Sequence, residues 1–428
     1  GVIGSQAISR ASGLENVITF DMGGTTAKTS MIARGEVTRA LDMQVGGGIM
    51  HGSRLMTGAG YALKVPAIDL AEVGAGGGSI LSIDTGGSLR AGPESAGASP
   101  GPVCYDAGGE NPTITDANVI LGYINPDHLV GGAVKLNKEK AISVFTRKIA
   151  EPLGLSLEDA AHGAHLISAS NMIRAIKAVS TERGRNPRNY SLFAFGGNGP
   201  LFAAGMADAI GIKQVIVPPS PGLFSSFGLL YADVEHHYSR TFRRLLTDAD
   251  PQELTTAWEG LAKEALDELN KEGFFGASAV IERSASLHYK GQIYELSVPA
   301  PSGNFDSKKL AELAENFGQE HEVVYGHRAG PEEPVELVNI AVIGRGIPDS
   351  SRVPEKLYAE EALTPVADSR KAYFGKSYGW IETAVVARAD LQQKRSGPLI
   401  VEEYDATCLI PPKAEAHLDS FGNIVVDL

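Results

Sequence analysis

Residues 16–30 read NVITFDMGGTTAKTS. The β-branched and aromatic run Val17 to Phe20 ends in Asp21. Gly23, Gly24, Thr25 and Thr26 follow, and Lys28 leads into a second strand-like run, TSMIARGEVTRA, at 29–40. The pattern predicts strand–loop–strand. A hairpin turn needs one glycine or an Asn-Gly pair and has no use for an acid. A bound phosphate with its metal uses every group: bare N–H donors approach the oxygens, the threonines add hydroxyls, and Asp21 holds Mg²⁺ through its water shell. Lys28 either reaches a phosphate or, as an alternating strand residue, points to solvent. The arrangement is not the strand–loop–helix of a Walker loop, and GxxxxGK[ST] is absent. Taken alone, the stretch fits a turn and a phosphate loop equally well.

A second stretch, NYSLFAFGGNGPLFAAGMADAIGIKQVIVPPSPG at 189–222, reads strand, glycine turn, helix, strand. Gly196, Gly197 and Asn198 leave a backbone against which a flat ring can lie. Pro200 suits the first turn of the following helix, whose N-terminus offers unpaired N–H groups. Two glycine loops, each at a strand end, suggest one nucleotide held between them.

The chain has 428 residues, 43% hydrophobic, with a net charge of −13. That length accommodates two or three domains, and the acidic balance argues against a general nucleic-acid binder. No uninterrupted apolar stretch approaches the ~18 residues of a membrane helix. Two distant cysteines, Cys104 and Cys408, predict reduced thiols in a cytoplasmic protein. The first residue is Gly1 rather than methionine, which predicts a processed chain or a fragment. Of the 50 glycines, 26 precede Ala133, so a glycine-rich β insertion is expected at about 45–132, with SILSIDTGGSLRAG as a hairpin. Helices follow at 136–150 and 157–183. Ser156 caps the second, and Leu166, Ala169, Ile173 and Ile176 mark its buried face. The texture changes again near residue 240, which divides the chain into 1–240 and 241–428.

Other candidates have competing structural readings. Asp116 in PTITDAN suits metal or general-base work, or the N-cap of a helix. Asp69 and Glu72 beside GAGGGS are weaker. ADVEHHYSR clusters Asp233, Glu235, His236 and His237, but adjacent histidines on a strand face opposite ways. Arg174, Lys177, Arg183, Arg185 and Arg188 form a basic helix end, read as a solvated face. Cys104 has no partner base in the sequence and reads as a small buried residue.

FDMGGTTAKTS, EVGAGGGSI, GPESAGASPGPVCYDAGGENPTITDANVILGYI, FGGNGPLFAAGMADAIGIKQVIVPPSPGLFSSFGLL, LHYKGQIYELSVPAP, YGHR and GPLIVEEYDATCLIPP together resemble the hydantoinase A / 5-oxoprolinase family. The resemblance spans essentially the whole chain. It implies an α/β, actin-like or sugar-kinase-like ATPase fold of ribonuclease-H-like halves, followed by a C-terminal α/β region. It makes Asp21 to Thr25 a phosphate loop and places Gly196, Gly197 and Pro200 at the adenosine, with Asn198 counted among the cofactor-binding residues, ATP and Mg²⁺ as the expected cofactors and no nucleic-acid or membrane partner. The implied reaction is phosphorylation of a cyclic amide or imide for ring opening, or ketone activation in a carboxylase, with a hydantoinase B-type partner subunit. The family carries a preceding half with a further phosphate loop, expected here in cis or in trans. A histidine common in the family after the glycine-proline turn is replaced by Phe202, which adds a third reading, a non-catalytic scaffold subunit.

Overall fold

The run Val17–Met22 forms the expected strand, and other strands pair along both of its sides. The computed structural model describes residues 1–40, 43–45, 61–63, 67–127, 129–330, 332–347 and 368–428. Ser191–Phe195 lies parallel to Val17–Met22, with Phe195 opposite Asp21, and Ala27–Ala33 lies antiparallel, with Lys28 opposite Asp21. Beyond Ser191–Phe195 come Gln214–Val217, parallel, then Ile424–Asp427, Glu415–Leu418 and Arg395–Ser396, all antiparallel. Ala27–Ala33 also pairs with Leu70–Val73 and Glu36–Val37.

The period of two along a strand sorts this sheet into two apolar faces. Ile18, Phe20, Met22, Leu192, Ala194 and Val215 belong to the larger core, whereas Val17, Phe193, Phe195, Ile216 and Val425 join Ile8 and Phe224 on the opposite face. Asp21 has the parity of Val17, so its carboxylate emerges on the second face. Helices Val2–Ala11 and Phe224–Leu229 cover that face and pack on each other. A six-residue helix containing glycine and two serines has little stability alone. Phe224, 2% exposed, anchors it among Phe193 and Phe195, and burying such a ring contributes about 2–3 kcal/mol.

The first face is covered by Leu157–Val179, capped by Ser156 as expected, and by Ile114–Ile120 and Gly199–Ile210. The buried side of the long helix includes Ala169 and Ile176, as expected, with Ile173 packed against the core, and departs from the expectation at Leu166. Leu166 is 53% exposed, while Ala161, Ala164, His165, Ser168, Met172 and Ile176 face inward. Leu166 is the residue of the expected stripe that turns outward, and small residues make up much of the buried side. His165 is buried, stacked on Phe202 at 4.2 Å and hydrogen-bonded through Nδ1 to Asn118 Oδ1 at 2.9 Å. The position where the family often has histidine is thus a core phenylalanine, 1% exposed.

Burial lowers the His165 pKa to about 3 from an ordinary 6.5. Between those values the unfolded chain binds a proton that the folded chain does not, so stability is lost as pH falls below 6.5, by at most about 1.4 kcal/mol per unit. Between pH 6.5 and 5, His165 is expected to cost the wild type roughly 2 kcal/mol that a His165→Asn variant does not lose. Urea unfolding of both proteins at the two pH values checks this, and equal losses would count against a neutral buried histidine.

The chain forms two compact units: Gly1–Glu182, Asn186–Tyr231 and Val353–Leu428 in one, Arg183–Arg185 and Ala232–Arg352 in the other. The sequence division at residue 240 falls inside the strand Val234–Leu245, and 368–428 returns to the first unit instead of staying with 241–347. The reason is pairing: Gln214–Val217 is completed by Ile424–Asp427, with Gln214 opposite Asp427. The first unit also carries a four-stranded sheet of Ser369–Tyr373, Trp380–Val386, Leu399–Glu402 and Thr407–Ile410. The second unit is α/β, a four-stranded antiparallel sheet with helices Pro251–Lys271 and Ser307–Tyr325 around Trp258, Leu287, Phe317 and Ile340. Its Val234–Leu245 strand bears His236 and His237, which pair with Glu272 and Glu235 respectively, and no metal-binding group of three occurs among the described residues. No described helix is long and apolar enough to cross a membrane.

Candidate functional site

Three parallel strands, Val17–Met22, Ser191–Phe195 and Gln214–Val217, end on the same edge of the sheet, the edge at which open α/β sheets bind ligands. The first ends in Asp21 and the 23–26 loop. Gly23 N–H donates to Thr26 O at 3.2 Å, but neither Gly23 nor Gly24 has a positive φ, and a Cβ on either would meet nothing within 4 Å. Turn geometry therefore does not require these glycines, which a type I′ or II′ hairpin would. The N–H groups of Gly24 and Thr25 donate to no partner among the described residues, and both residues are exposed.

Two other loops shape the first one from behind. Gly77 N–H donates to Gly23 O at 3.2 Å and Gly78 N–H to Gly24 O at 2.7 Å. A Cβ on Gly76 would stand 2.5 Å from Gly24 backbone atoms, and one on Gly77 2.7 Å from Asn198 Nδ2. The 76–78 cluster is thus a backbone-on-backbone brace, joined to the main sheet through Leu70–Val73; the cluster at 46–48 lies outside the described residues. Asn198, expected among the cofactor-binding residues, donates through its backbone N–H to Met22 O at 2.9 Å and through Nδ2 to Gly23 O at 3.2 Å. Its side chain links the two glycine loops.

Asp21 is held on two sides. Ser225 Oγ donates to its Oδ2 at 2.9 Å, and a Cβ on Gly196 would lie 2.5 Å from its Oδ1. Gly196 also has φ +81°, so here the glycine is required twice over. Lys28 shares a sheet face with Asp21 and pairs across strands with Glu72 at 3.6 Å. Gly197 is open, its nearest neighbour being Asp405 O at 3.4 Å from a Cβ there. Gly196→Ala is expected to lose about 2 kcal/mol or more from φ strain and the clash. Gly205→Ala, on the exposed side of Gly199–Ile210 with open space around it, is expected to gain about 0.5–1 kcal/mol. Denaturant midpoints of the two variants test the contrast.

Asp116 stands apart from these groups. It occupies the third position of Ile114–Ile120, forms a capping box with Thr113, the N-cap, and is fully buried. Its carboxylate accepts from Val103 N, Cys104 N, Thr113 N and Thr113 Oγ1 at 2.7–3.2 Å, tying the 102–104 loop to the helix. The neighbouring Thr115 donates to Gly77 O at 2.9 Å, so this helix start supports the brace. Burial and the Asp116 charge push the Cys104 thiol far up, which leaves it a small packed residue. A cavity of 640 Å³ lined by Val119, Lys138, Arg370 and Trp380, among others, shares no residue with the glycine loops.

Sequence reasoning did not single out Ser225 or Asp405. Each lies inside a family-like stretch but has no local pattern that marks it; both reach the site from more than 200 residues away from Asp21. The residues present fit a magnesium-bound phosphate: a hard carboxylate oxygen, unspent backbone N–H groups and open space above the glycines.

A family model described as Hydantoinase/oxoprolinase matches residues 1–238, and one for its C-terminal domain matches 246–425. The chain is 41% identical to an uncharacterised protein of Methanocaldococcus jannaschii, covering 100% of this chain and 61% of that protein. Against caprolactamase subunit alpha of Pseudomonas jessenii it is 35% identical, covering 96% and 58%. The crystal structure of the ATP-dependent caprolactamase from the same organism superposes with a TM-score of 0.84 at 33% identity, over 99% of this chain and 61% of that one. A nucleotide-free acetone carboxylase structure gives 0.72 at 28%, over 100% and 60%. The chain thus spans 58–61% of these relatives' lengths. Its α/β architecture is the actin-like ATPase fold, and the chain belongs to the hydantoinase/oxoprolinase family.

Proposed function

We propose that the chain is part of an ATP-dependent hydrolase subunit that activates a cyclic amide or imide by phosphorylation for ring opening. The observation that carries this reading is the 23–26 loop, whose glycines serve no turn requirement, leave N–H groups without a partner among the described residues and lie beside a fixed carboxylate. Likeness to a caprolactamase subunit and to its ATP-dependent crystal structure supports the substrate class. The lactam oxygen attacks the γ-phosphorus and ADP leaves; water then adds to the activated carbon, the ring C–N bond breaks, and the phosphoryl group departs as inorganic phosphate. Gly24 and Thr25 N–H groups hold phosphate oxygens, the helix start at Gly199 and the open Gly197 backbone take the adenosine end, and Ser225 keeps Asp21 turned toward the loop. Asp21 would hold Mg²⁺ through water, and the ion would supply neutralisation of the phosphate charge. Asp116 acts by anchoring the loops.

A second reading, the ATP-using subunit of a ketone carboxylase, is favoured by the TM-score of 0.72 with acetone carboxylase. Partner subunits are proposed in either case, since similar proteins are named as subunits. Phosphate release by the intact protein with its subunits, measured with lactams and cyclic imides and then with ketones plus bicarbonate, separates the readings. Lactam-dependent release without bicarbonate supports the hydrolase. Bicarbonate-dependent ketone consumption makes it a carboxylase, and ATP binding without turnover in either assay points to a scaffold.

A further inference from the structure

Strand register places three ionisable residues in one row across the main sheet. Asp21 lies opposite Lys28, and Lys28 lies opposite Glu72, on the neighbouring strands Val17–Met22, Ala27–Ala33 and Leu70–Val73. Residues directly opposite each other share a face, so all three belong to the second face, at the edge where the 23–26 loop turns. An acid and a base placed in this way attract each other across the ladder. Among the described residues, however, no ion pair joins Asp21 to Lys28. Asp21 is held by Ser225 Oγ at 2.9 Å, and the Lys28 ammonium turns the other way, to Glu72 at 3.6 Å. That pair is longer than a hydrogen bond, and the Lys28 side chain is 44% exposed, so its N–H donors remain open to another acceptor. Two opposite charges are thus held apart at the feet of a loop whose Gly24 and Thr25 N–H groups have no partner among the described residues.

Strand order gives the row a direction. The 196–197 turn follows Ser191–Phe195, the next strand carries Asp21, and the one after it carries Lys28. Neighbouring strands stand about 4.8 Å apart, which roots Lys28 roughly 10 Å along the edge from the glycine turn. A nucleotide whose adenosine end lies on that turn runs its phosphates along the same edge, past Asp21. Its last phosphate comes nearest to Lys28, and a diphosphate stops short.

We infer that Lys28 takes the terminal phosphate of the bound nucleotide, with Glu72 as the counter-charge that turns the ammonium away from Asp21, so that the site separates a nucleoside triphosphate from a diphosphate. The inference rests on the nucleotide reading proposed above. In that reading the terminal phosphate is the one transferred, so the contact is absent once ADP has formed. A hydrogen bond between charged groups corresponds to roughly 10- to 100-fold in affinity. In the competing account Lys28 only offsets Glu72. Its removal would then weaken triphosphate binding through the uncovered Glu72 charge, and removing both charges would restore it.

Calorimetry on the intact protein with Mg-ADP and with the magnesium complex of a non-hydrolysable ATP analogue distinguishes these accounts. Lys28→Met keeps the apolar stem and is expected to weaken the triphosphate roughly 10- to 100-fold while changing the diphosphate by less than about threefold. Should Lys28→Met fail to fold, Lys28→Gln carries the same expectation. The double variant Lys28→Met, Glu72→Gln is expected to retain the selective loss. Recovery of wild-type triphosphate affinity in the double variant overturns the inference and leaves the nucleotide site standing. Equal effects on the two nucleotides in a folded single variant, or no effect on either, do the same. No binding of either nucleotide to the wild type overturns the nucleotide site and the inference with it.

Discussion

Asp21→Asn is expected to lower ATP turnover by the intact protein roughly 100- to 1,000-fold, because the amide lacks the negative charge that would hold the water shell of Mg²⁺. The change is nearly isosteric. Asparagine still offers Ser225 an acceptor and still fits beside Gly196, so the melting temperature is expected to stay within about 2 °C of the wild type. Loss of turnover with an unchanged melting point therefore reports the charge itself. Turnover within about threefold of the wild type would remove Asp21 from the phosphate site and leave the 23–26 loop without its acid. Ser225→Ala is a graded companion. It removes one hydrogen bond to an otherwise intact carboxylate, and an effect of several-fold is expected, well short of that of Asp21→Asn.

The largest effect on stability is expected at Arg388, far from any glycine loop in sequence. The Arg388 and Glu403 side chains are only 15% and 12% exposed, and the guanidinium also satisfies three backbone carbonyls. Arg388→Met leaves a buried carboxylate without its partner and three carbonyls without donors, which is expected to cost about 3–5 kcal/mol. The double variant Arg388→Met, Glu403→Met is expected to recover part of this, since the stranded charge is gone while the carbonyls remain unpaired. Urea unfolding of the wild type and the two variants measures both steps. A single-variant loss below about 1 kcal/mol would place Arg388 with ordinary surface pairs. The same substitution is also expected to loosen the Asp405 turn, because Arg388 joins that turn to the end of Gln214–Val217.

Local sequence pattern carried much of the architecture. The alternation in 17–33, the Ser156 cap, Pro200 in the first turn of Gly199–Ile210 and the paired strands on either side of Lys290-Gly291 appear where one-dimensional rules put them. Each depends on neighbours within a few residues. What local pattern left out depended on distant partners. Leu166 was assigned inward by its spacing, but which stripe of a long helix is buried is set by the elements packed on it. The cut at residue 240 followed a change of texture, whereas the returning segment 368–428 is claimed by hydrogen bonds to Gln214–Val217.

The site divides in the same way. The sequence by itself determined that an acid and two glycines end one strand, that a second glycine turn ends another, and that motifs along the whole chain belong to one family. It could not decide between turn and phosphate loop, because the same letters serve both. Tertiary structure showed that Gly23 and Gly24 have ordinary φ values and open space above them, so a tight turn does not require them, whereas Gly76 and Gly196 are glycine because other atoms occupy the place of a Cβ. Ser225 and Asp405 became visible only in three dimensions. Both reach the edge through contacts between segments far apart in the chain, and such contacts have no period, spacing or cap to mark them in one dimension.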